Sequence, residues 1–323
     1  MTAAPVTDVA PSGFVADVEV VAVERLSPAF VRVTLGAPAL ADLAHLGFDT
    51  RFKVVLPGPT GRLPEAADTQ EGWYANWLAM PDDERAFMRT YTVRDVVGAG
   101  EQTRLVVDFV VHDDLGHGLG PACRWALSAE PGDRVVVVVP LRGGSPWGGT
   151  EFAPGDARDL LVIGDETALP AIARVLADAD PGLTGRVFVE VPGAHDRLPL
   201  PEHPGIEVTW VPRDTGRPGR RLVQVVRRRL GLPPTDLDAP QPEVVTDMEV
   251  EVWETPRYSS GGEDLRAQLA ASPGRDLAGT YAWIAGESWL VKTLRRALVS
   301  ELEVERARVA FMGYWREGVA MRS

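Results

Sequence analysis

The chain carries a single cysteine, Cys123, among its 323 residues. That excludes a disulfide framework, a cysteine-held iron–sulfur cluster and a cysteine-based zinc site. Its five histidines are scattered and make no ligand spacing, so no protein metal site is expected. No run is long and apolar enough for a membrane span. The opening MTAAPVTDVAPSG lacks the basic-then-apolar order of a secretory signal and reads as a loose lead-in. Positive charge is also in deficit. A net charge of -13 argues against a nucleic-acid backbone or an anionic membrane as the main partner, although a local arginine and lysine cluster can still hold a small anion. The expected setting is the cytoplasm and the expected state a monomer.

The length suits two domains. The first half holds six strand-like runs: Phe14–Leu26, Phe30–Gly36, Arg51–Gly58, Arg89–Val96, Arg104–His112 and Asp133–Pro140. Turn signals such as Ser27-Pro28 and Pro131-Gly132-Asp133 separate them, and no long helix intervenes, which favours an antiparallel barrel or sandwich. Residues 59–87 read as a long polar insertion containing Trp73, Tyr74 and Trp77. In the second half, short strands at Asp159–Gly164, Arg186–Val191, Ile206–Val211, Tyr281–Gly286 and Arg308–Tyr314 alternate with helical stretches, implying a parallel α/β sheet. One helix is expected over Thr167–Ala179, with Thr167 as its N-cap. Another is expected from Ser288 to about Glu303, with Leu290, Leu294, Leu298 and Leu302 on one side. Residues 213–246 read as a helix plus a loose excursion. The boundary falls in Gly143–Gly155, giving domains over 14–150 and 151–323.

The stretch MRTYTVRDV places Arg89 and Tyr91 on one strand face, with Thr92 next in sequence. An arginine fork suits a phosphate, and a tyrosine ring suits a flat ligand. A surface arginine beside a core tyrosine would look the same. Further on, Gly116, Gly118 and Gly120 loosen a loop, and Gly120-Pro121-Ala122 opens a helix containing Trp125. Such a turn presents backbone N–H groups to an anion such as pyrophosphate. His112 ends the preceding strand and fits a hydrogen-bonded rim position.

RTYTVRDV, DFVVH…GPACRWA, GDETALPAI, WIAGE and GYWREG follow one another in an order and spacing that resembles the siderophore-interacting protein family, over roughly Phe14 to Gly318. That family comprises flavin-dependent ferric-siderophore reductases within the ferredoxin-reductase-like superfamily. The resemblance implies an antiparallel Greek-key FAD-binding barrel followed by a parallel-sheet NAD(P)H-binding domain. It also implies cytoplasmic reduction of siderophore-bound Fe(III) to Fe(II), which releases the iron. Arg89, Tyr91 and Thr92 would hold FAD, and His112, Gly120, Pro121, Ala122 and Trp125 its ribityl and phosphate portion. Lys53 would face an anionic ferric siderophore. The loop DDLGHGL before Gly120 looks longer than the family's usual one. Two rivals stay open: a flavin reductase feeding a ferredoxin-like protein, and a non-catalytic flavin or siderophore binder.

The first turn of the second domain is Gly164-Asp165-Glu166-Thr167, with one glycine and two carboxylates where an ordinary dinucleotide fold has several glycines. Residue chemistry alone argues against a nucleotide here, and the resemblance argues for one. Either the carboxylates point away and Thr167 with the helix N-terminus takes a phosphate or ribose, or Glu166 serves the nicotinamide amide or a ribose hydroxyl. The second turn is Ala285-Gly286-Glu287, where glycine permits close backbone approach. Arg213, at a strand end, is placed to meet a 2′-phosphate and so favour NADPH over NADH. Trp315 lies near a cofactor or in the core.

Overall fold

The computed structural model describes residues 11–65, 70–111, 118–237, 277 and 279–319, with the backbone of 253–255 and 258–259. β1 (Gly13–Ser27), β2 (Phe30–Gly36), β3 (Arg51–Leu56), β4 (Phe87–Thr92), β5 (Asp95–Val97), β6 (Arg104–Val110) and β7 (Arg134–Pro140) form one antiparallel sheet in the order β4-β3-β7-β1-β2-β6-β5. β4 and β5 are its two edges, yet only Val93 and Arg94 separate them in sequence. Three backbone steps reach roughly 10 Å, so the sheet must roll until its edges meet. At that seam Val93 N donates to Thr50 O at 2.8 Å and Arg94 N to Val106 O at 3.0 Å. This is the expected barrel, but the single strand read over Arg89–Val96 is two strands, broken where the chain changes edges. Strand alternation sends Val33, Leu35, Phe52, Val54, Val107 and Phe109 into the barrel core.

Residues 59–87 are not a long loop. α1 (Gln70–Ala79) crosses the outer face of the barrel. Trp73 and Trp77, one helical turn apart, are buried there against Val55, Val136 and Val138. The Trp77 indole donates to Ala86 O at 2.9 Å. The polar residues around the tryptophans hid this helix from the sequence pattern.

The second sheet runs β10-β9-β8-β13-β14-β11-β12. β8 (Asp159–Gly164), β9 (Thr184–Val191), β10 (Ile206–Pro212), β13 (Thr280–Glu287) and β14 (Val309–Trp315) are parallel. A short hairpin of β11 (Trp253–Thr255) and β12 (Tyr258–Ser259) is added antiparallel at one edge. α3 (Leu169–Asp178) packs on one face, and α4 (Arg220–Arg229) and α5 (Ser288–Arg296) on the other. From central β8 the chain moves out through β9 to β10, then returns to lay β13 on the other side of β8. The carboxyl ends of β8 and β13 therefore flank a topological switch point, where such sheets bind ligands. The two turns singled out in the sequence end these two strands. Thr167 is not the N-cap of α3; Ala168 holds that position. α5 buries Leu290 and Leu294, then passes at Ala297–Glu301 into a π-helical turn that buries Leu298.

A shared apolar core joins the sheets, with Ala29, Phe30 and Val110 packed among Phe152, Leu160 and Ile172. Carboxylates stitch its rim. Asp196 accepts from Ser27 Oγ at 2.7 Å and Ala29 N at 2.9 Å, and Asp178 accepts from Phe48 N at 2.7 Å. Among the described residues no helix is long and apolar enough to cross a membrane.

Candidate cofactor cleft

Register decides what β4 presents to each side. Tyr91 stands opposite Phe52 and Arg89 opposite Val54, so both point to the inner face. Lys53 stands opposite Thr90 on the outer face, and its Nζ donates to Thr90 Oγ1 at 2.6 Å. Lys53 and the Arg89–Tyr91 pair thus occupy opposite sides of the same edge. Thr92 is the last residue of β4 and is buried.

Behind Tyr91 lies an aromatic row. Its ring is 4.4 Å from that of Phe109, and Phe109 is 5.3 Å from Trp125. Phe109 was missed as a site residue, although it follows Leu105 and Val107 at two-residue spacing on β6. Desolvation pushes the Tyr91 phenol far above its ordinary range, with the Cys123 thiol adding to the shift. Desolvation also pulls the half-buried Arg89 guanidinium below its ordinary value, partly countered by Tyr91. Its Nη1 donates to Met88 O at 2.8 Å. A poorly hydrated cation of this kind is suited to a charged partner.

α2 (Pro121–Ser128) closes the gap beside the row, with Trp125 on its inner side. Gly120 is its N-cap and Pro121 its first residue, followed by Ala122. The first bond of the helix ladder is Arg124 N to Gly120 O at 3.0 Å. Among the described residues, a Cβ added at Gly118 or Gly120 would meet nothing within 4 Å. A helix start opened by Gly120-Pro121, an aromatic row and a desolvated guanidinium fit a flat dinucleotide carrying phosphates. His112 and most of the DDLGHGL loop lie outside the described residues.

At the switch point the carboxylates are tied down. Asp165 Oδ1 accepts from Thr167 N at 2.9 Å and Thr167 Oγ1 at 2.5 Å. Its Oδ2 accepts from Glu287 N at 2.7 Å and the Trp315 indole at 2.8 Å. Burial, then the neighbouring charge of Glu166, raises Asp165 to about 6. The closest glycines serve packing: a Cβ at Gly164 would lie 2.5 Å from Ala168 Cβ, and one at Gly286 (φ 139°) 2.5 Å from Asp165 Oδ2. Glu287 Oε2 caps α5 by accepting from Trp289 N at 2.6 Å and Leu290 N at 3.1 Å. Burial raises its pKa.

Arg213 does not present a free fork to a 2′-phosphate. Both its terminal nitrogens bond fully buried Glu166 at 2.6 Å, and Glu190 lies 3.6 Å away. Burial works against the Arg213 charge, but the bonds to Glu166 and the surrounding carboxylates outweigh it and hold its pKa up. The physical reason is simple: an inward carboxylate pair needs a buried cation. Glu166 is equally spent on Arg213, and Thr167 stands half-exposed at the turn. Burial raises Glu190 to about 7, and its carboxylate accepts from Gly219 N at 2.7 Å and Leu222 N at 3.3 Å. Sequence reading also missed Arg220, stacked 3.7 Å over the Trp289 ring, and the pair of Arg217 with Glu317. Both join segments far apart in the chain and leave no local pattern.

Residues 157–318 match the family described as siderophore-interacting protein, and residues 19–144 match the siderophore-interacting FAD-binding domain. An uncharacterised protein of Mycobacterium tuberculosis is 35% identical over 201 residues, covering 60% of this chain and 64% of that relative. The matched region thus spans less than two thirds of that relative's length. An NADPH-dependent ferric-chelate reductase of Escherichia coli is 29% identical over 215 residues, covering 65% of this chain and 76% of the relative. Among solved structures, a siderophore utilization protein from T. fusca superposes with a TM-score of 0.66 at 28% identity, covering 96% of each chain.

Proposed function

The chain belongs to the siderophore-interacting protein family, and from that premise we propose that it is an FAD-dependent reductase that uses NADPH or NADH to reduce the Fe(III) of a ferric siderophore. The observation that carries this reading is the inner face of β4, where Arg89 and the Tyr91–Phe109–Trp125 row meet the open start of α2 at Gly120.

Arg89 would take a phosphate of FAD through its planar fork. Tyr91 and Trp125 would support the flat portion of the cofactor, and Thr92 would reach it where β4 ends. Among the described residues, Gly118 and Gly120 leave room for the phosphates to approach the start of α2. His112 would complete this set. Residues 14–150 would form the flavin unit and 151–323 the nicotinamide unit. At the switch point Thr167 and Trp315 would line the nicotinamide nucleotide, while Gly164, Glu166, Arg213, Gly286 and Glu287 would hold the turn's shape. When bound, the flavin supplies the redox chemistry, taking hydride from the nicotinamide and delivering electrons singly to iron. Lys53, exposed on the other side of the β4 edge, would attract an anionic ferric chelate. Fe(II) binds hard oxygen donors less tightly than Fe(III), so reduction would release the metal into the cytoplasm.

The experiment is a ferrous-chelator colour assay with FAD-loaded protein, a ferric siderophore and NADPH or NADH. Colour that requires all three supports the reading. Flavin reduction without colour, for every siderophore tried, would favour a protein acceptor. Failure to bind FAD would leave only a binding role.

A further inference from the structure

Among the described residues, the switch-point crevice lacks an obvious seat for a nucleotide phosphate. Arg213 is committed to Glu166, and the Thr167 N–H and hydroxyl are committed to Asp165. The segment that follows β10 supplies a different cation. Residues 213–220 do not run straight from β10 into α4. They cross the carboxyl edge of the sheet, held to Glu166 after β8 by Arg213 and to Glu190 on β9 by Gly219 N. Gly219, at φ 77°, fits so closely beneath α5 that a Cβ there would lie 2.8 Å from Leu290 Cβ. From β10 to β13 is three strand spacings, roughly 14 Å, and this strap covers that width.

At its middle stands Arg217. Its Nη2 meets Glu317 Oε2 at 2.7 Å and its Nε meets Glu317 Oε1 at 3.3 Å. Glu317 comes from the turn after β14, which is fixed on the other side of the crevice. Trp315 bonds Asp165, Ser288 Oγ donates to Trp315 O at 2.8 Å, and Glu317 N donates to Glu287 Oε1 at 3.3 Å. Strap and C-terminal turn thus meet above the ends of β8 and β13 through one ion pair.

We propose that Arg217 is the seat for a phosphate group of the nicotinamide nucleotide and that Glu317 occupies that seat until the nucleotide arrives. The pair is a clasp over the crevice. This rests on the nicotinamide reading given above. Three observations carry it. The Glu317 carboxylate engages the guanidinium through two oxygens, the arrangement that a phosphate would reproduce. The Arg217 side chain is 60% exposed and that of Glu317 21% exposed, and exposed ion pairs are weak enough to exchange partners. Arg220, three residues along the strap, holds its guanidinium over Trp289 with a buried Nη1 that has no hydrogen-bond partner among the described residues. A buried donor without an acceptor at the mouth of a crevice marks a place for an incoming oxygen.

Calorimetric titration of NADP⁺ and of NAD⁺ into the FAD-loaded full chain tests this, because it reads binding without turnover. Glu317→Gln, which keeps the shape but removes the competing charge, is expected to tighten binding about 3- to 5-fold. Arg217→Ala is expected to weaken it about 10- to 100-fold. A loss confined to NADP⁺ would put the seat at the 2′-phosphate, and an equal loss for both at the pyrophosphate; either supports the clasp. Wild-type affinities in both variants, with unaltered melting temperatures, would overturn it. Wild-type protein that binds neither nucleotide would instead overturn the nicotinamide reading, and the clasp with it. Should Arg217→Ala fail to fold, the near-isosteric Glu317→Gln still decides.

Discussion

The Asp49 carboxylate and the Trp283 indole, 234 residues apart in sequence, are joined by a buried hydrogen bond of 3.0 Å. Asp49 precedes β3 of the barrel, and Trp283 lies in β13 of the parallel sheet. The other Asp49 oxygen accepts from Glu151 N at 3.0 Å and Phe152 N at 2.9 Å, on the connection between the sheets. One side chain therefore fixes the barrel, the connection and the central sheet together. Its burial raises its pKa, against the pull of the N–H groups that it serves.

Asp49→Ala leaves three buried donors without an acceptor. The expected loss is roughly 2–4 kcal/mol, seen as a melting temperature lower by about 5–10 °C in thermal unfolding. A melting curve identical to wild type would show that the domains are held elsewhere.

Arg89→Ala removes the desolvated guanidinium beside Tyr91. FAD affinity, measured by equilibrium dialysis, is expected to fall about 10- to 100-fold. Arg89→Lys should restore only part, because an ammonium cannot offer a planar fork.

Breaking the Arg213–Glu166 pair at one end strands a buried charge. Arg213→Met is expected to cost about 3–5 kcal/mol by denaturant unfolding, and Arg213→Met with Glu166→Gln should recover part of that loss.

Asp165 and Glu190 are raised to about 6 and about 7. Unfolded, both release their protons near pH 4. Between pH 4 and 7 the folded chain therefore holds protons that the unfolded chain has lost, so these two groups make stability fall as pH rises through that window and level off above it. Glu190→Gln should flatten the upper part of the slope in melting temperature against pH. A slope unchanged in that variant would assign the proton uptake to other groups.

Strand rhythm exposed most of the fold because each barrel strand buries one face and each parallel strand two, leaving period-two and continuous apolar runs in the sequence. Arg89 and Tyr91 were legible as a pair for the same reason: two-residue spacing fixes a shared face. The break after Thr92 was not, because it reflects barrel closure and no local signal marks it. α1 was obscured by the polar company of Trp73 and Trp77. Arg213 was placed correctly at a strand end, but its partner Glu166 lies in the turn after another strand, and only the sheet order brings the two within 2.6 Å. Arg217 with Glu317, and Arg220 with Trp289, escaped for the same physical cause.

The central claim, a flavin seated on the Tyr91–Phe109–Trp125 row, is tested most directly by titrating FAD into flavin-free protein while following tryptophan fluorescence. The account predicts saturable quenching near one FAD per chain. Trp125→Phe should remove much of the quenching while keeping most of the affinity, and Tyr91→Leu should weaken binding. Quenching and affinity left at wild-type strength by both substitutions, or no saturable binding at all, would contradict it.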